Sequence, residues 1–355
     1  MKRLFTVIAC CAMIGIVAYA DNYIPDNFDL SDGREETISV ASGNTNVYTG
    51  VFSGSGSVKK TGSGTLAFQP FITSGGDMTP TINTFSGGIT VSAGAVRADH
   101  PSAFGTGDIT VSAASAQVLF SAGTVVGGKT VYTEFTNNIS VTVNNTANTV
   151  IFYTNTLIRG NITGTGNFRL RHNPKVTSPG YGGPSAAIYG TVETPGTIKF
   201  NAYGTFEMHG PVKGTIVYGG ESHSGDGTVE LYSASNEIGT YMISHDVLSL
   251  KAANAMPGAL IEWRPCFPTA NPGRSKVLLN GNDQTFAGIQ FTKSTESGWG
   301  KHESGTWGYV RQHGMQVAEG RQLRSLCRRH VPRMQVPQDT FCRSEEHTSE
   351  LQSRI

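Results

Sequence analysis

GVFSGSGSVKKTGSGTLAF, residues 50–68, decides how the rest of the chain is read. Its two Ser/Thr-Gly strings are tight corners, because glycine reaches positive φ without steric cost and Ser or Thr hydroxyls cap the free backbone groups of a turn. Short segments with period-2 alternation lie around such corners: 65–68, 88–91, 108–111, 139–143, 197–200 and 228–232. In each, apolar residues alternate with Thr, Ser, Lys or Glu, as in a strand with one buried face. The string at 50–59 recurs in type at 160–169 (GNITGTGNFR), and GAVRADHPSAFGTG at 94–107 is matched more weakly by DVLSLKAANAMPGA at 246–259. Nothing in 21–300 sustains helical periodicity over twelve residues. An all-β chain of short strands and frequent corners follows, which leaves a sandwich, a propeller or a parallel β-helix.

Composition agrees. Of 355 residues 44 are glycine and only 15% are charged, against roughly 25% in ordinary soluble domains, which argues against helical bundles and coiled coils. Residues 21–300 carry 16 Lys+Arg against 20 Asp+Glu, so the body lacks the positive field that nucleic-acid binding requires. Nucleic acid is excluded as an expected partner.

GVFSGSGSVKKTGSGTLAF followed by NTFSGGITVSAGAVRADHPSAFGTGDITV (83–111) resembles the autotransporter-associated β-strand repeat of bacterial surface proteins. Residues 70–82 are inserted where that family has only a few, and 278–289 (LLNGNDQTFAGI) is similar to the strand that closes many of its units. The match covers about a fifth of the chain. The resemblance implies a right-handed parallel β-helix in an exported, passenger-type region, with no catalytic residues to carry over. Each coil of such a solenoid is stabilised by the coils beside it rather than by one globular core. At about 20–25 residues per coil, residues 41–300 hold about ten to thirteen coils, with 21–40 as a leader or cap.

Both ends read differently from the body. MKRLFTVIACCAMIGIVAYA, residues 1–20, has a charged start, an apolar stretch too short for a membrane span and an A-x-A site, so a signal peptide cleaved after Ala20 is expected. Val7–Cys10 resembles a lipoprotein box, but cleavage there would leave too short an apolar region, and lipidation is set aside. Residues 301–342 lose the strand pattern and read as aberrant, with a frame-shift as one origin. RSEEHTSELQS, within 343–355, is similar to the translation of a common sequencing adapter. The expected tail is therefore unstructured or aberrant and the natural C-terminus, an outer-membrane barrel or an anchor, is missing; a genuine basic tail is the other reading. Of five cysteines only Cys266 lies in the body, so no disulfide framework and no thiolate metal site is expected, and Cys266 is read as a free thiol.

The search for chemistry yields no catalytic, cofactor or metal residues, and the chain is read as a non-enzyme. Residues 219–227 (GGESHSGDG) differ from the calcium nonapeptide at Ser222 and are read as a loop. Because residues i and i+2 share a face of a strand, Arg97 with Asp99, Arg169 with Arg171, and Glu207 with His209 are the candidate outward pairs; each is more simply a solvated ion pair or edge protection. Tyr189, Tyr203 and Tyr232 are candidate aromatics for stacking on sugars. Asn138, Asn144 and Asn161 head N-x-S/T triplets of the kind chance produces in such a composition. The expected function is an exported bacterial, β-helical passenger with a structural or adhesive role, secreted or at the cell surface, with surface glycans or host or neighbouring cell surfaces as partners. The alternative is a polysaccharide lyase or glycoside hydrolase on the same scaffold.

Overall fold

The computed structural model describes residues 21–291, apart from 70, 73–77, 80–81, 123–124, 127–128, 131, 146, 173–184, 220–226, 245 and 264–275. Residues 1–20, expected from the sequence to be a signal peptide, Cys266, most of the 219–227 loop and the whole tail lie outside the described residues. Within them the chain is all-β, without a helix, and its long ladders are parallel. The fold is a parallel β-helix, one of the three architectures the corner-and-strand pattern leaves open and the one the repeat resemblance implies.

Three faces are visited in turn. On the first, Glu35–Ser39, Ser57–Thr61, Ile89–Val91, Ile109–Val111, Ile139–Val141 and Ile162–Gly164 stack in succession. The second begins with Asp21–Ile24, Thr45–Tyr48, Thr65–Phe68, Ala95–Ala98, Gln117–Phe120, Val150–Phe152 and Phe168–His172, and ends with Leu260–Trp263 and Gly288–Phe291. Three longer strands, Val192–Asn201, Val212–Gly219 and Glu237–Ile243, bend from the first face onto the second and join both into one 18-stranded network. The third face holds Thr133–Phe135, Thr156–Ile158, Ser185–Ile188, Thr205–Met208, Thr228–Leu231, Val247–Leu250 and Lys276–Leu278. Residues 21–40, set apart in the sequence as a leader or cap, already pair in register with the coil that follows, Asp21 over Thr45 and Glu35 over Ser57.

The register explains the alternation. Val58, Ile89, Ile109, Ile139, Ile162, Val192 and Val212 are successive partners on the first face and all are buried. Burying such a side chain contributes about 1.5–3 kcal/mol, and stacking like on like lets each coil do so against the next. A second inward column is aromatic. Phe28 stacks on Phe52 at 4.6 Å, and contacts continue through Phe68, Phe104, Phe120 and Phe152 to Phe206. His172 replaces a phenyl ring here, stacked on Phe206 at 4.0 Å, and burial lowers its imidazole to about 3.

Among the described strand residues one inward position is charged. Lys60 stands between Ile38 and Val91 in the first-face column and is fully buried. Its Nζ donates to the carbonyls of Thr61 (2.6 Å), Gly62 (2.7 Å) and Ala93 (3.2 Å), so the corner backbone satisfies the amine, while burial lowers its pKa to about 8.

Two features of the corners differ from the sequence reading. The strings at 50–59 and 160–169 are one corner out of step: Val58 enters the first face, whereas Phe168 enters the second. The counterpart of 163–168 is 61–66, which joins the same two faces. The weaker pair is likewise displaced, with Ala95–Ala98 on the second face and Val247–Leu250 on the third. The asparagines, in turn, brace one coil to the next. Asn161 N–H donates to Asn138 Oδ1 (2.9 Å) and Thr191 N–H to Asn161 Oδ1 (2.8 Å); Asn144 and Asn167 repeat the arrangement with Asn167 and Thr197. The side chains of the three N-x-S/T asparagines are thus structural links. At the neighbouring corner Gly190 packs on Gly160 so closely that a β-carbon would lie 2.0 Å from the Gly160 carbonyl oxygen.

Candidate functional site

Two outward surfaces concentrate polar chemistry. The first is on the third face. Ile158, Ile188, Met208, Leu231 and Leu250 are successive inward partners, so the residues after them, Arg159, Tyr189, His209, Tyr232 and Lys251, fall at one equivalent position of five coils. Their side chains form a ladder: the Arg159 guanidinium lies 4.5 Å from the Tyr189 ring centre, Tyr189 stacks on His209 at 4.3 Å and 7°, and His209 on Tyr232 at 4.3 Å and 16°.

Beside this ladder Glu207 and Glu230 are register partners on adjacent strands. Glu207 accepts from Tyr132 Oη at 2.7 Å and lies 3.4 Å from His209 Nε2. Glu230 accepts from Tyr232 Oη at 2.7 Å and pairs with Lys251 at 3.0 Å. Burial, together with the bond to Glu207, pushes the Tyr132 phenol up to about 12; burial and the bond to Glu230 raise Tyr232 too. Both phenols therefore stay protonated donors at neutral pH. Arg159 also pairs with Glu134 at 3.3 Å.

Of the sequence candidates, the structure brings together Glu207, His209, Tyr189 and Tyr232. The stacking covers both ring faces of His209 and the inner faces of both tyrosines, and Arg159 lies over the outer face of Tyr189. Tyr203 lies apart, 6.0 Å from the Arg171 guanidinium. Arg97 and Asp99 form a two-bond pair, 2.9 Å from Nε to Oδ1 and 2.9 Å from Nη2 to Oδ2. Arg169 Nη1 donates to Asn148 Oδ1 at 3.2 Å. Sequence reasoning missed Tyr132, Arg159 and Glu230. A signal for Glu230 exists: Thr205-Phe-Glu-Met-His209 and Thr228-Val-Glu-Leu-Tyr232 share the form Thr-apolar-Glu-apolar-ring, and they are in register.

The second surface is on the first face. Thr90, Thr110, Ser140 and Thr163 are successive outward partners, spaced about 4.8 Å as parallel strands are. Among the described residues none engages their hydroxyls. The rank beside it is tied down: Ser92 and Ser112 share a bond of 3.2 Å, Ser112 Oγ donates to Val91 O, and Thr142 Oγ1 to Val111 O. Charged residues bound the rank: Lys59 before Thr90, paired with Glu35 at 3.9 Å, and Glu193 after Thr163, followed in the next coil by Lys213, which pairs with Glu237 at 2.7 Å. Among the described residues no group of three or more His, Cys, Asp or Glu is arranged to hold a metal ion. No family model, curated protein or solved structure matches the chain.

Proposed function

We propose that this chain is an exported bacterial surface protein of the passenger type, a non-catalytic β-helical shaft with a structural and adhesive role. The observation that carries the adhesive part is the uncharged rank of Thr90, Thr110, Ser140 and Thr163, whose hydroxyls are left to solvent on a regular face. Regularly spaced donors and acceptors without charge suit a neutral glycan, whose hydroxyls exchange one for one with water. The third-face ladder supports the structural part, since its rings and charges bind one another along successive coils. Export rests on residues 1–20 and on the repeat resemblance in 50–69 and 83–111. Amino-terminal sequencing of the secreted chain is expected to begin at Asp21.

Binding to insoluble neutral glycans tests the adhesive reading. The chain is expected to be retained, and a variant with Thr90, Thr110 and Thr163 changed to Val and Ser140 to Ala to bind at least about tenfold more weakly at unchanged melting temperature, as loss of one or two net hydrogen bonds implies. Equal binding by the variant sinks the assignment of the rank. One observation favours the lyase or hydrolase alternative: Glu207 and Glu230 stand as register partners on adjacent coils, and paired carboxylates are the usual machinery of glycoside cleavage. Turnover of pectin, alginate or a neutral glycan that disappears in Glu207→Gln and Glu230→Gln would replace the non-catalytic reading.

A further inference from the structure

The corner after Glu237–Ile243 buries an acid that has no ion-pair partner among the described residues. Asp246 is 1% exposed and Tyr241 fully buried; Tyr241 Oη donates to Asp246 Oδ2 at 3.0 Å, while Oδ1 has no partner. The carboxylate also presses on the preceding coil, where a β-carbon on Gly219 would lie 2.0 Å from Oδ2. The charged groups of the surrounding strands are engaged elsewhere. Lys213 and Glu237 pair with each other at the far ends of their strands, and Glu230 faces outward to Tyr232 and Lys251. Lys276 contributes its backbone N–H to the Asp246 carbonyl at 3.3 Å. His245, adjacent in sequence, lies outside the described residues.

We infer that this corner is an acid-tightened clasp between two successive coils, closed while the Asp246 carboxyl is neutral and drawn open toward water once it ionises. A buried carboxylate with an orphaned oxygen and no cation is unfavourable, and exposing the turn relieves it. Burial raises the Asp246 carboxyl to about 6, against which the Tyr241 hydroxyl and the backbone at Asp246 and Ser244 work only partly. The same group in water titrates near 3.9. Because the closed-state value lies above the open-state one, the closed corner binds the proton more tightly. Its stability is therefore fully present below about pH 4 and is lost as pH rises through about 6. Two units correspond to about a hundredfold change in the opening equilibrium.

Amide exchange at Val247 and Lys276, whose N–H groups bond Gly227 O at 3.1 Å and Asp246 O at 3.3 Å, reads this opening directly. After correction for intrinsic rates, protection in the wild-type chain is expected to fall about thirtyfold between pH 4 and pH 6, the full hundredfold being approached only above about pH 7. Asp246→Asn should remove the fall. Tyr241→Phe, which deletes a donor that favours the ionised form, should move it to higher pH, and His245→Gln should leave it in place. A flat wild-type profile, an unchanged fall in Asp246→Asn, or its loss in His245→Gln would each overturn the inference.

Discussion

Replacing Phe120 with alanine is expected to lower unfolding free energy by about 3–5 kcal/mol, the range for emptying a buried phenyl site. The ring is 1% exposed and touches Phe104 at 5.8 Å, Phe135 at 4.7 Å and Phe152 at 5.6 Å. It thus links three neighbours in different coils, and backbone ladders on both sides hold the coils apart at fixed spacing, which prevents the cavity from closing. Phe120→Leu should cost less, since it keeps much of the volume. Denaturant titration followed by far-ultraviolet circular dichroism measures both. A loss below about 1 kcal/mol for Phe120→Ala, well under the usual cost of such a truncation, would show that the coils can collapse onto the gap. A double-mutant cycle with Phe152→Ala should return a coupling of about 0.5–1.5 kcal/mol, the value for an aromatic pair beyond its area.

The next largest effect is expected at Asn236. Its side chain is 2% exposed; Oδ1 accepts from Val212 N–H at 2.7 Å, and Nδ2 donates to the carbonyls of Ser233 and Ala255, each at 2.7 Å. Val212 lies one coil before and Ala255 one coil after, so a single carboxamide ties three levels of the solenoid. Asn236→Ala leaves a buried donor and buried acceptors unpaired, at about 1–3 kcal/mol for each orphaned group. A total of about 2–4 kcal/mol follows if water reaches some of them. Asn236→Asp separates the roles: the acceptor for Val212 survives, while both donors are lost and a negative charge meets two carbonyls. Thermal unfolding should place this variant below wild type, and further below it at neutral than at acid pH. A stability equal to wild type in Asn236→Ala would mean that the tie is dispensable.

Much of the fold is legible because inward positions are so uniformly apolar. Ile89-Thr-Val91, Ile109-Thr-Val111 and Ile139-Ser-Val141 announce strands with one buried face, and the structure stacks them directly on one another. The register is not legible, for two physical reasons. Corners reuse the same glycine and hydroxyl chemistry wherever the chain bends, so the likeness of 50–59 to 160–169 cannot tell which face comes next. Coil length also varies, from Phe200 over Gly219 to Val118 over Val150, because insertions leave at corners without disturbing the ladder. Lys60 is unreadable as a core residue because backbone carbonyls, invisible in the sequence, solvate its amine. The same limit governs the site. Glu207 with His209 and Glu230 with Tyr232 share the same i, i+2 spacing, each within one strand; that the two pairs stand side by side, with Arg159 on the ladder, is set only across coils, where spacing alone carries no information.

The hydrogen bonds of this fold run from coil to coil, along the direction in which the coils succeed one another. A pull applied along that direction loads each junction in tension, one after another, whereas a pull across it loads a whole ladder in shear. A shaft anchored at one end would therefore yield by shedding single coils, each releasing 19 to 32 residues, as from Phe200 to Gly219 or Val118 to Val150. At about 3.5 Å per extended residue each such event would lengthen the chain by about 70–110 Å, so a chain held at one end would absorb a sudden load in small instalments while the remaining coils keep their grip.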